Sequence, residues 1–193
     1  MKRKGTVWIV AGLLLIAAAL GLTAYNFWDA GRAAAAAGTA LEQMDAAAPG
    51  DGIPEYMRNP NMPMPVKIID GHEYVGILTL PSLRLSLPVQ SEWSYANLQE
   101  SPCRYSGSAY LKNLVLAAHN YDGHFGKLKN LHLGDEVQFR DMAGNVFFYE
   151  VGEITTLQPT AVKEMTAGEW DLTLFTCTLG GRSRVTIRCA LMR

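Results

Sequence analysis

Cysteine is scarce, three residues in 193, and an odd count excludes complete pairing within the chain, so at least one thiol is free or pairs elsewhere. Net charge is also missing. A formal −1, with no basic run beyond Met1-Lys2-Arg3-Lys4, leaves no electrostatic footprint for nucleic acid. Acidic clusters that would suggest calcium are lacking. His119, Asp122 and His124 match no helical zinc spacing and have no third ligand placed near them, so no metal or cofactor is expected. No internal repeat stands out. Once a targeting segment is set aside, the length holds one ordinary domain and not comfortably two.

What is present is unevenly spread. Hydrophobic residues make up 49% of the chain, and the densest run lies between Gly5 and Asn26. About 20 such residues at 1.5 Å rise span a bilayer core of about 30 Å. The run exceeds the 7–15 residues of an ordinary signal core, although the small residues Ala33 to Ala37 keep a cleaved signal peptide as the competing reading. The basic residues ahead of it place the N-terminus in the cytoplasm, and Trp8, Tyr25, Phe27 and Trp28 sit where interfacial aromatics belong. The expected organisation is a cytoplasmic N-terminus over 1–5, a transmembrane helix over 6–26, a stalk over 27–67 and a β-barrel domain over 68–193. Within the stalk, Ala30 to Ala48 is fit to continue as a helix, Pro49-Gly50-Asp51-Gly52 breaks it, and the prolines from Pro54 to Pro65 keep the rest of the stalk extended. The Met-Pro stretch at 59–65 is either plain spacer or a flap over a groove.

From Ile68 onward the pattern is that of short strands. Tyr74–Leu80 and Leu83–Val89 flank Pro81-Ser82, and Leu114–His119 is a continuous apolar run suited to a strand buried on both faces. Glu136–Arg140 and Asn145–Ile154 flank a tight turn, Asp171–Cys177 and Arg184–Leu191 flank Gly180-Gly181, and Ser94–Glu100 is the plausible helix. Seven or eight short strands with little helix predict a mainly β protein, a closed or nearly closed barrel.

The last hairpin carries geometry. If its loop is Thr178 to Ser183, Cys177 and Arg184 oppose one another, with Cβ atoms about 4.5–5.5 Å apart on one side of the sheet. Arg188 lies about 13 Å further along and is out of reach. Alternation puts Cys189 with Val185, Ile187 and Leu191 on the apolar face, as a small core residue; a Cys103–Cys189 disulfide is the alternative. A guanidinium favours a thiolate and can donate to an oxyanion. His119 follows Val115-Leu116-Ala117-Ala118 and emerges at a strand end, where functional residues are commonly displayed. A thiol, an imidazole and a fixed positive charge are the minimum for opening an amide through a thioester. His124 either packs beside Phe125-Gly126 or lines a groove.

Thr173-Leu174-Phe175-Thr176-Cys177 resembles the active-site signature of the sortases, cysteine transpeptidases of the Gram-positive surface. Gly76-Ile77-Leu78-Thr79-Leu80-Pro81, Tyr105-Ser106-Gly107-Ser108 with Asn113 to His119, and His119-Asn120-Tyr121 through Gly134-Asp135 are similar to sortase segments in the same order. The resemblance implies an eight-stranded barrel with one or two short helices, His119, Cys177 and Arg184 as catalytic residues, and Thr176 along the substrate groove. It further implies surface proteins bearing a C-terminal Leu-Pro-x-Thr-Gly-like signal as substrates. The acceptor would be an amine of a cell-wall precursor or pilin-like protein. No Asp-Pro-aromatic lid motif precedes the barrel, the 154–171 segment is short, and no apolar span closes the C-terminus, so the subclass stays open. A hydrolysing thiol peptidase and a non-catalytic, membrane-tethered peptide-binding barrel are the rival readings.

Overall fold

The computed structural model describes residues 2–44, 52–167 and 169–192, with side chains from Val7 onward. A long helix α1 (Lys2–Gln43) and a short α2 (Glu55–Arg58) precede strands β1 (Lys67–Ile69), β2 (His72–Leu80) and β3 (Leu85–Gln90). Helix α3 (Tyr95–Leu98), strands β4 (Cys103–Ser106), β5 (Leu114–Ala117), β6 (Glu136–Asp141) and β7 (Val146–Leu157), helix α4 (Val162–Thr166), and strands β8 (Leu172–Cys177) and β9 (Arg184–Leu191) complete the order. The break expected at Pro49 to Gly52 falls mostly on 45–51, outside the described residues.

The sheet order β1-β2-β3-β4-β5-β8-β9-β7-β6, with β2 also paired to β6, closes eight strands into a barrel and leaves β1 outside it, on β2. Closure removes the exposed edges that an open sheet would present. The interior is apolar: Leu78, Leu80, Leu114, Leu116, Leu172, Leu174, Ile187 and Cys189 are all completely buried in one cluster. Each large side chain there contributes roughly 1.5–3 kcal/mol by leaving water. A second cluster outside the wall joins Leu98, Cys103, Val115, Ala117, Met165 and Phe175 beneath α3 and α4. Strand β5 supplies Leu114 and Leu116 to one cluster and Val115 and Ala117 to the other, which is why its sequence is uniformly apolar. Cys103 and Cys189 are free and belong to different clusters, so the disulfide alternative is not the arrangement adopted.

Four elements differ from expectation, the first being α2, a single helical turn inside the stretch whose prolines were expected to keep it extended. β1 and β4 are additional strands of three and four residues, and α4 is a helix the sequence pattern did not single out. β4 is joined to β3 by a single parallel pair, Gln90 with Cys103, and bulges against β5 between Arg104 and Ser106, so it has no clean alternation to read.

Helix α1 has two halves of different character. Its most apolar window has a mean hydropathy of 2.4 and none of it is buried, so this half is long and apolar enough to cross a membrane. Beyond Trp28 the helix lies along the barrel. Ala33, Ala37, Ala40 and Met44, spaced to fall on one helix face, are buried, and the last two pack with Ile69 and Tyr74 of β1 and β2. The stretch expected to hold the domain at a distance instead touches it. α2 and the segment after it also pack: Tyr56 of α2 stacks on Tyr110 with ring centroids 4.7 Å apart, and Met64 enters the interior cluster.

Candidate active site

Parallel pairing of β5 with β8 sets the site. Ala117 is the register partner of Phe175, and the Ala118 amide donates to the Phe175 carbonyl at 3.3 Å. His119 and Cys177, each two residues past that pair, therefore stand at the same end of the barrel, Cys177 as the last residue of β8 and His119 just beyond β5. The Thr176 hydroxyl donates to the Ala118 carbonyl at 2.8 Å, tying the two chain segments just below the imidazole and the thiol.

Antiparallel pairing of β8 with β9 adds the third side chain. Cys177 and Arg184 are register partners, the last pair before the loop. That loop is bonded to itself: the Thr178 amide donates to the Ser183 carbonyl at 2.9 Å, the Gly181 amide to the Thr178 carbonyl at 2.8 Å. Gly180 and Gly181 have φ of 81° and 71°, a backbone region that side chains disfavour, which is what the glycine pair is for. Arg184 Nη1 donates to the carbonyls of Gly181 and Ser183 at 3.1 and 3.2 Å. A guanidinium carries five N–H donors, so capacity for a ligand remains. Arg188 is occupied elsewhere, its Nη2 donating to the Glu164 carbonyl at 3.2 Å.

His119, Cys177 and Arg184 border one groove, walled by Trp93, Tyr95, Tyr105 and Phe175 and by Val162 and Met165 around α4. A second cleft meets it at Cys177, lined by Asn120, Asp122, Lys129, Thr178 and Leu179. The thiol thus stands where two depressions join, one walled by aromatic rings and one edged by the charged side chains of Asp122 and Lys129. Thr176 borders both, although its hydroxyl is spent on Ala118. Among the described residues of the 54–67 segment, none lines either depression. Burial pushes the His119 pKa below its ordinary value of 6.5, an effect partly opposed by the negative charge of Asp29.

The histidine loop folds on itself. The Phe125 amide donates to the His119 carbonyl at 3.1 Å and the Gly126 amide to the Tyr121 carbonyl at 2.9 Å, with Phe125 buried completely. A Cβ on Gly126 would stand 2.8 Å from that Tyr121 carbonyl oxygen, so only glycine permits the closure. Of the two alternatives for His124, packing is the one adopted. It is fully buried, lines neither depression, and both ring nitrogens lack a partner in hydrogen-bond geometry.

Two residues here had no signal in the sequence. The Tyr121 ring stacks on His119 with centroids 4.9 Å apart and planes at 28°. Its hydroxyl donates to Asp29 Oδ2 at 2.6 Å, a contact across 92 positions of sequence.

A model of the sortase domain matches residues 78–192. No curated protein matches the chain. Among solved structures, sortase A from Corynebacterium diphtheriae is similar with a TM-score of 0.58 and 19% identity over 63% of this chain, which spans only 62% of that protein. Sortase C1 from Streptococcus suis is similar at 25% identity, TM-score 0.56, over 72% of this chain and 79% of that one. A Clostridium perfringens sortase D5 transpeptidase gives a TM-score of 0.59 at 16% identity, over 82% of this chain and 96% of the other.

Proposed function

Because the chain belongs to the sortase family, whose domain accounts for residues 78–192, we propose that it is a membrane-anchored cysteine transpeptidase with His119, Cys177 and Arg184 as its catalytic residues. The observation that carries this reading is the convergence of those three side chains on one groove from β5, β8 and β9. The apolar half of α1 is the anchor, with the N-terminus in the cytoplasm and the barrel outside.

The substrate is a surface protein with a Leu-Pro-x-Thr-Gly-like signal. Neutral His119 takes the proton of the Cys177 thiol, and the thiolate attacks the Thr carbonyl carbon. Arg184 donates to the oxyanion. The tetrahedral intermediate collapses as the imidazolium gives its proton to the departing glycine nitrogen, leaving a Cys177 thioester. An amine of a cell-wall precursor or surface protein then attacks the thioester, losing a proton to His119. Collapse forms the new amide and returns the thiolate. A depressed His119 pKa keeps the imidazole mostly neutral near pH 7, the form that the first step requires. The aromatic walls suit the Leu-Pro part of the signal, with Thr176 beside the scissile bond; completely buried His124 is not assigned substrate contact.

The test is full-length protein in detergent with Leu-Pro-x-Thr-Gly peptides, with and without an amine such as triglycine. Mass spectrometry should find a Cys177 acyl adduct and amine-dependent product, both absent in Cys177→Ala. Product that never contains the amine would favour hydrolysis instead. Undiminished function of Cys177→Ala in cells would favour the non-catalytic barrel.

A further inference from the structure

We propose that Asp29 is a positioning residue for His119, acting through Tyr121 and brought to the site by the docked half of α1. The inference rests on the catalytic reading of His119 and adds a part to it from outside the barrel.

Among the described residues, no hydrogen bond holds the His119 ring; what fixes its plane is the stack on Tyr121, 4.9 Å between centroids. Tyr121 is half-buried and is in turn fixed at its far end, its hydroxyl 2.6 Å from Asp29 Oδ2. The carboxylate is itself braced. Arg32 Nη2 donates to Asp29 Oδ1 at 3.3 Å while Arg32 Nη1 donates to Glu100 Oε1 at 2.7 Å, pinning the helix to the segment after α3. Close seating makes this reach possible: a Cβ on Gly123 would come within 2.7 Å of Ala34 Cβ, so α1 lies directly against the histidine loop. Ala33 and Ala37, buried on the same helix face, set that approach by their small size. The chain of contacts runs from helix to carboxylate to phenol to imidazole. It tethers the ring that the mechanism needs to turn between Cys177 and the leaving nitrogen.

Charge takes the same route. Asp29 favours the protonated imidazole, and its own carboxyl is held below the usual range first by the Tyr121 hydroxyl and also by Arg32. The ionisable groups facing this relay are Tyr25 and Arg32 on α1, Glu100 after α3, His124 in the same loop, and Cys177 and Arg184 across the groove.

The experiment uses the full chain in nanodiscs, with Asp29→Asn, Tyr121→Phe, the double variant, Glu100→Gln and His119→Ala. Each is characterised by kcat and KM on Leu-Pro-x-Thr-Gly peptides, by thermal stability, and by NMR titration of the His119 ring. Asp29→Asn and Tyr121→Phe should each lower kcat roughly tenfold with KM unchanged, the cost of a slightly misplaced catalytic group. The double variant should be no worse than either single one. Asp29→Asn should also move the His119 titration to lower pH, since a charge favouring imidazolium has gone. Glu100→Gln, which loosens the brace without touching the relay, should leave the titration in place. The proposal is overturned if both relay variants keep wild-type kcat and titration while His119→Ala is inactive, a result that leaves the catalytic reading standing. It is equally overturned if Glu100→Gln reproduces the loss and Asp29→Asn leaves the titration unmoved, for then Asp29 is only an anchor. Full activity in His119→Ala would sink both readings together.

Discussion

Cys177 and Arg184 are the last register pair of the β8–β9 hairpin, held opposite one another by a loop that bonds to itself from Thr178 to Ser183. Backbone pairing on both flanks, with Cys177 of β8 and Leu157 of β7, sets the place of residue 184 without help from its side chain. Arg184→Ala is therefore expected to leave the barrel intact and to cut kcat by roughly 10²–10³, the usual cost of losing an oxyanion donor. Arg184→Lys should recover little of this, because an ammonium lacks the planar fork that spans two acceptors. Steady-state kinetics beside thermal melting of the two variants makes the check.

Thr176 ties β8 to β5 immediately below the thiol and the imidazole, through its 2.8 Å bond to the Ala118 carbonyl. Thr176→Val keeps the shape but leaves a buried carbonyl unsatisfied, which costs about 1–3 kcal/mol. Denaturant unfolding should show that loss, together with a fall in kcat, and Thr176→Ser should restore both.

The hairpin was legible in the sequence for a physical reason. Six loop residues between alternating runs allow one register that keeps Leu172, Leu174, Ile187 and Cys189 inside, and that register opposes Cys177 to Arg184. β5 was legible as well, because a strand buried on both faces must be apolar throughout. β4 was not, since its irregular pairing leaves no period to detect. Nor was the docking of α1: alanine suits any helix surface, exposed or covered, and the partners Tyr121 and Glu100 lie far along the chain. The same gap in sequence left both readings of His124 open, since nothing local decides between packing and lining a groove.

That burial has a pH consequence. Desolvation, with the nearby His119 as a smaller cause, lowers the His124 pKa to about 4, against an ordinary 6.5. The unfolded chain binds this proton at higher pH than the folded one, so stability is complete above about pH 7 and is lost as pH falls toward 4. The difference amounts to about 3 kcal/mol at most. His124→Leu, whose side chain binds no proton, should flatten that part of the stability profile. Urea midpoints of wild type and variant between pH 4 and 7.5 provide the measurement, and parallel profiles would assign the acid sensitivity to other groups.

Ala37 is 3% exposed where α1 meets the barrel, and its neighbours on that face, Ala33 and Ala40, are as tightly covered. A charge introduced there has no partner, and burying it costs more than the helix gains by docking. Ala37→Glu should therefore lift the 29–44 half of α1 away while β2 to β9 stay closed, because the barrel interior draws nothing from these alanines. Hydrogen exchange should rise at 29–43 and at the 119–126 loop but not in β5, β8 or β9. Activity should fall with it, and to the same degree as in Asp29→Asn, if delivery of the carboxylate to Tyr121 is what the docked helix contributes. Unchanged exchange at 119–126 would mean that the loop keeps its form through the Phe125 and Gly126 bonds alone.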